Sequence, residues 1–185
     1  MQTFSGYHGT SYEAAMSILG STFNESKSKT EWLGHGVYFF VDGVSDPVTN
    51  AKDWARAQAW DIASRSNKYE KFSVLETNVQ IGIDKLIDLC DLNGLKNFNA
   101  LKEIWFDKIA ANFDIKKPLE HSCAMFNCLV SMTGAHAVRH NLYIKSIRER
   151  KLKLQLNVPN TTVLCVSKDV PFLDVTEIFV GATYE

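Results

Sequence analysis

Two short segments carry residue types suited to gripping a nucleotide. Tyr7-His8-Gly9-Thr10-Ser11 sets an imidazole, a bare backbone position and hydroxyls in succession at the end of an apolar-flanked strand. Trp32-Leu33-Gly34-His35-Gly36-Val37-Tyr38-Phe39-Phe40 is a Gly-x-Gly turn running into a strand that carries a tyrosine. Side by side they suit a narrow cleft: one strand offers open backbone and a polar edge for a ribose, the other a flat ring for stacking. The chemistry such a cleft serves is cleavage of a bond to a sugar, in which positive charge builds on the ribose. A site for it must hold the leaving group, fix the ribose and set negative charge near the developing cation. His8, Gly9 and Tyr38 meet the first two needs. The third calls for a carboxylate from elsewhere in the chain.

These residues need elements to position them. A strand is expected over residues 3–8 and a helix from Ser11, a natural N-cap, to Gly20. Residues 21–31 are polar and read as a loop, followed by a strand from Val37 to Val41 and a connector over Asp42–Thr49, which holds Gly43 and Pro47. Ala51, Trp54, Ala55, Ala59 and Ile62 recur near helical spacing and predict an amphipathic helix from Asn50 to Ser64. Strands follow at 72–81 and 86–89. Two helices are expected at Phe98–Phe113 and Pro118–Met132, a helical insert over about 94–133, the second opened by its proline. Strands return at 142–147, 161–167 and 174–180. Strands at both ends with helices between them predict an α+β fold.

Composition narrows the setting. The 185 residues (20.9 kDa) are 45% hydrophobic and 22% charged, which fits one domain spanning 1–185 with a substantial core. Net charge is −1, so charge matters locally: Arg139, Lys145, Arg148, Arg150, Lys151 and Lys153 cluster against Glu149 alone. No signal peptide is visible at the start, and no apolar stretch is long enough to span a bilayer. Cys90, Cys123, Cys128 and Cys165 lack the spacing of a metal site or disulfide framework. A reduced, cytoplasmic protein with no metal and no membrane association is the expectation.

His8-Gly9-Thr10 followed thirty residues later by Gly34-His35-Gly36-Val37-Tyr38-Phe39 resembles the ADP-ribosyltransferase superfamily, in the branch of diphtheria toxin and the poly(ADP-ribose) polymerases. The resemblance implies two small, mainly antiparallel sheets facing one another, with NAD in the cleft between them. It implies that His8 bonds a ribose hydroxyl of NAD, that the Gly9 backbone pairs with the nicotinamide amide, and that Thr10 contacts the adenosine ribose. Gly36 and Tyr38 then complete the nicotinamide site, with the Tyr38 ring stacked on it, and Asn50 stands where the family commonly has a serine. For the catalytic glutamate two alignments compete. One uses Glu177; the other lays Val163-Leu164-Cys165-Val166 on the glutamate strand, so that Val163 holds the position. The implied activity is mono-ADP-ribosyl transfer from NAD to RNA, DNA or protein. The size suggests a toxin or defence effector with an antitoxin partner.

Other readings compete at each feature. The basic segment, with Arg148 and Arg150, is either an acceptor-binding face or a solvated surface. His35 reads as a turn residue, His121, His136 and His140 as structural, and Asp88 with Asp91 as a turn. Trp54, Trp60 and Trp105 read as core anchors, whereas Trp32, beside the Gly-x-Gly turn, reads as a pocket wall. For the whole chain, two alternatives to the transferase stand. One is a silent module that binds NAD or ADP-ribose; the other is an RNA 2′-phosphotransferase, against which the Tyr38 segment argues.

Overall fold

The computed structural model describes residues 1–108 and 117–184, with side chains of 107 and 108 left aside. The chain runs β1 (Gln2–Ser11), α1 (Tyr12–Leu19), β2 (Val37–Phe40), α2 (Pro47–Ala59), β3 (Trp60–Asp61), β4 (Ser66–Asn67), β5 (Lys71–Ile81) and β6 (Leu86–Asp88). It continues α3 (Leu92–Lys108), α4 (Pro118–Thr133), β7 (Ala137–Leu142), α5 (Ile147–Lys151), β8 (Thr161–Val166) and β9 (Phe172–Ala182). The fold is α+β.

Local chemistry accounts for the helix ends. Ser11 caps α1, its hydroxyl accepting from the Ala14 N–H at 3.1 Å, and Gly20 closes it. Asp46 caps α2 by accepting from the Thr49 N–H at 2.7 Å, and Pro47 fills the first turn, where a missing N–H costs nothing. The helix therefore starts three residues before the expected Asn50, because an Asp-Pro pair that reads as a connector is here a cap. It also stops at Ala59 rather than Ser64. The chain turns into the β3–β4 hairpin, leaving Trp60 and Ile62 exposed although their spacing continues the apolar stripe.

Two further expectations are corrected. The strand expected at 142–147 lies at 137–142, where Ala137 and Val138 pair with β6 on one side and β8 on the other. Residues 147–151 are helical, opened by a capping box in which Ser146 and Glu149 bond one another's backbone. The first insert helix begins at Leu92, where Asp91 accepts from the N–H groups of Asn93 and Gly94. Residues 109–113 of the expected helix lie outside the described residues.

Seven strands form one ladder in the order β6-β7-β8-β2-β1-β5-β9, antiparallel except for β6–β7. Its middle is nearly severed: β1 joins β2 through the single pair Tyr7↔Phe40, whereas β1 pairs β5 along its whole length. Each face carries its own core. On one, α1 and Phe23 cover Phe4, Phe39, Leu75 and Leu164; on the other, α2 and α4, the latter through Phe126, cover Phe40, Val74 and Val163. Ala51, Ala55 and Ala59 are fully buried, a small-residue stripe that brings α2 close to the sheet.

Candidate functional site

The break between β1 and β2 opens a cleft of ≈ 430 Å³, within the usual range of small-molecule sites. Beyond Tyr7↔Phe40 the strands part, and the next link is a side chain: His8 Nδ1 lies 2.8 Å from the Tyr38 carbonyl oxygen. A carbonyl only accepts, so Nδ1 carries the proton and the neutral ring keeps a lone pair on Nε2. Burial lowers the His8 pKa, and the bond to Tyr38 only partly offsets this, so the ring is neutral at pH 7. The edges of Phe23 and Phe39, with ring centroids 5.4 and 6.0 Å away, set its plane.

Tyr38 reaches the same cleft from β2. Its hydroxyl donates to the Gly34 carbonyl (2.6 Å) and accepts from the Leu33 N–H (2.9 Å), which pins the ring under the Gly-x-Gly turn. Burial raises its pKa, with the neighbouring Cys165 and Glu31 adding to the effect, so it stays a phenol. The turn is fixed from three sides. Gly34 sits at φ +86°, where glycine is at ease, and a Cβ there would meet Asn127 Oδ1 at 2.7 Å. That same Oδ1 accepts from the His35 N–H at 2.7 Å. A Cβ on Gly36 would stand 2.6 Å from Cys165 Sγ, and Gly36 exchanges two backbone bonds with Ser26, which ties the 21–31 loop over the cleft.

Gly9 also lines the cleft, but its glycine has a reason apart from any ligand. A Cβ there would lie 1.9 Å from the Ala51 carbonyl oxygen of α2. The close approach that requires glycine is therefore helix on strand.

His8, Gly9, Gly36 and Tyr38 thus meet, and other expected residues stand elsewhere. Asn50 is outside the cleft: its Nδ2 donates to Ser45 Oγ (2.7 Å) and Thr161 Oγ1 (2.9 Å), tying the start of α2 to β8. Thr10 lies further along β1, opposite Ser73, and does not line the cleft. Glu177 stands apart from the cleft. It sits on the edge strand β9 opposite Leu75, which in turn pairs with His8, so two strand spacings of about 4.8 Å separate it from β1 on the side away from the cleft. Its Oε1 is buried without a hydrogen-bond partner. Val163, the other alignment, pairs with Phe40 and lines the cleft.

The carboxylate that does line the cleft is Glu31, the sole acid there among the described residues. Ser26 Oγ donates to its Oε1, which fixes the carboxylate inside the loop that Gly36 anchors. The sequence carries no local signal for it beyond a place in a polar loop. Trp54 joins Trp32 at the cleft in an edge-to-face pair, centroids 5.4 Å apart, so it walls the cleft as well as packing against the core. Trp105 is buried as expected.

Other candidates resolve into structure. Asp88 faces Arg139 at 3.5 Å and Asp91 caps α3. All four cysteines are free thiols, and among the described residues no group of His, Cys, Asp and Glu gathers as a metal site. No described helix is long and apolar enough to cross a membrane. No protein-family model matches the chain, and no curated protein matches it.

Proposed function

We propose that the protein is an NAD-dependent mono-ADP-ribosyltransferase acting on a macromolecular acceptor. One observation carries this reading: a break in the sheet brings His8, Gly9, Gly36 and Tyr38, from segments thirty residues apart, to one cleft. The two half-sheets joined at a single pair fit the split core expected of that superfamily. With NAD bound, the nicotinamide–ribose bond breaks, nicotinamide leaves with the bonding pair, and an acceptor oxygen or nitrogen takes the ribose carbon as it sheds a proton. His8 accepts a ribose hydroxyl at its free Nε2. Tyr38, its hydroxyl already satisfied, serves as a stacking surface for the nicotinamide. Glu31 supplies the negative charge that Val163 cannot, and it does so from the loop rather than from a strand.

The test is label transfer from NAD to protein, RNA and DNA by wild type and by His8→Ala, Tyr38→Ala, Glu31→Gln and Glu177→Ala. Wild type transfers label. His8→Ala and Tyr38→Ala abolish transfer, Glu31→Gln lowers it by about 10²–10³-fold, and Glu177→Ala retains it. Full activity in Glu31→Gln would refute its role. Val163 in the cleft favours a second reading, a silent NAD-binding module, and bound but unconsumed NAD would establish it.

A further inference from the structure

The cleft is not closed at its Trp54 end. Phe40, Trp54 and Ile144 line both it and a small saddle of ≈ 40 Å³, floored by Asn50, Lys145 and Thr161. Asp53 and Ser146 line both the saddle and a bay of ≈ 410 Å³ between α2 and α5. Arg56, Arg148 and Lys151 border that bay, and Asp53, its one acid among the described residues, interacts with Arg56. The acid of the basic segment, Glu149, is engaged in the α5 cap, where Ser146 donates to it from both its N–H and its hydroxyl at 2.8 Å. A run of lining residues therefore leads from an aromatic-walled cleft over Lys145 to three cations, on a protein whose net charge is −1. Arg150, expected to join Arg148, instead donates from Nε to the Lys145 carbonyl at 3.0 Å and holds the turn. Arg56, two residues past Trp54, takes its place in the bay.

We propose that this groove is the acceptor site, and that it holds the phosphodiester backbone of a single-stranded nucleic acid while delivering one nucleotide to the cleft. The proposal rests on the transferase reading for what happens in the cleft, but not for binding. Cations spaced along a groove with an indole at one end suit a strand whose phosphates meet charge and whose bases stack.

The test is fluorescence anisotropy of a labelled single-stranded oligonucleotide, RNA and DNA in turn, without NAD, over a range of salt. Contacts from Lys145, Arg148 and Lys151 give a slope of log K against log[salt] of about −2.1. The double variant Arg148→Gln/Lys151→Gln, both side chains at the surface, reduces the slope by about 1.4 and the affinity at 0.1 M salt by roughly twenty-five-fold. Its melting temperature checks that the fold is kept. Failure of wild type to bind either strand, equal affinity for a duplex, or undiminished binding by the variant each overturns the proposal. So does a rise in the KM for NAD with oligonucleotide affinity unchanged, which would assign the bay to the pyrophosphate of NAD. Variant-sensitive binding by a protein that turns over no NAD upholds the groove and rejects the transferase reading.

Discussion

Replacing Gly9 with alanine separates two reasons for a glycine in the His-Gly-Thr triplet. In the structure the new Cβ would stand 1.9 Å from the Ala51 carbonyl oxygen, 2.7 Å from the Ala51 carbonyl carbon and 3.2 Å from Ala55 Cβ. Carbon–oxygen contacts settle near about 3.3 Å, so α2 has to withdraw by roughly 1.4 Å. Nothing nearby can give cheaply, since the obstacle is helix backbone and Ala51 and Ala55 are fully buried. Overpacking of this kind costs about 3 kcal/mol at the upper end, which for a chain of this length lowers the melting temperature by about 6–12 °C. The assay is thermal unfolding by circular dichroism without any ligand. Gly20→Ala is the control: its Cβ meets nothing closer than 3.5 Å, its φ of −84° suits alanine, and its melting temperature should hold or rise slightly. A Gly9→Ala protein that melts with wild type refutes the packing argument, and combined with lost NAD turnover it returns the glycine to the ligand.

Tyr38→Phe keeps the ring but strands the Leu33 N–H, in a residue only 1% exposed, and leaves the Gly34 carbonyl only the weak Cys165 Sγ donor at 3.8 Å. It should cost about 1–3 kcal/mol by urea unfolding, and a loss below about 0.5 kcal/mol would show that water replaces the hydroxyl. Stability should also depend on pH through His8 and His140, both lowered by burial from the ordinary value of 6.5. The unfolded chain then takes up protons at a higher pH than the native one. Stability is full above about pH 6.5 and falls with pH toward the folded values, by at most about 1.4 kcal/mol per pH unit per proton. Urea midpoints from pH 7 to 5 should decline in wild type and flatten in His8→Gln/His140→Gln; an unchanged slope in the variant would place the dependence on other groups.

Much of the frame was legible because its signals are local. Ser11 and Gly20 mark the ends of α1 by hydrogen bonds within a turn, and the alternation over 72–81 marks β5, whose Val74 and Val79 are fully buried. The errors fell where one signal has two meanings. Asp46-Pro47 serves a turn or a cap, and Tyr143-Ile144 reads as strand although the Ser146-x-x-Glu149 box opens a helix two residues later.

The early motif was legible for the same reason: His8, Gly9 and Tyr38 declare themselves by type and order within two short segments. What the sequence determined alone is that imidazole, glycine and phenol stand on two strands. Which carboxylate joins them depends on strand order across the sheet, and no local pattern encodes that. Glu177, on a plausible strand, lies at the far edge behind β5 and β1, because β9 pairs with β5. Glu31, in a polar loop without motif, comes to the cleft because Ser26 pairs with Gly36. Arg56 meets Arg148 for a like reason, through the packing of α2 beside α5. Capping and periodicity act over a few residues and are written along the chain, whereas the company a side chain keeps in a cleft is set by pairings between distant segments.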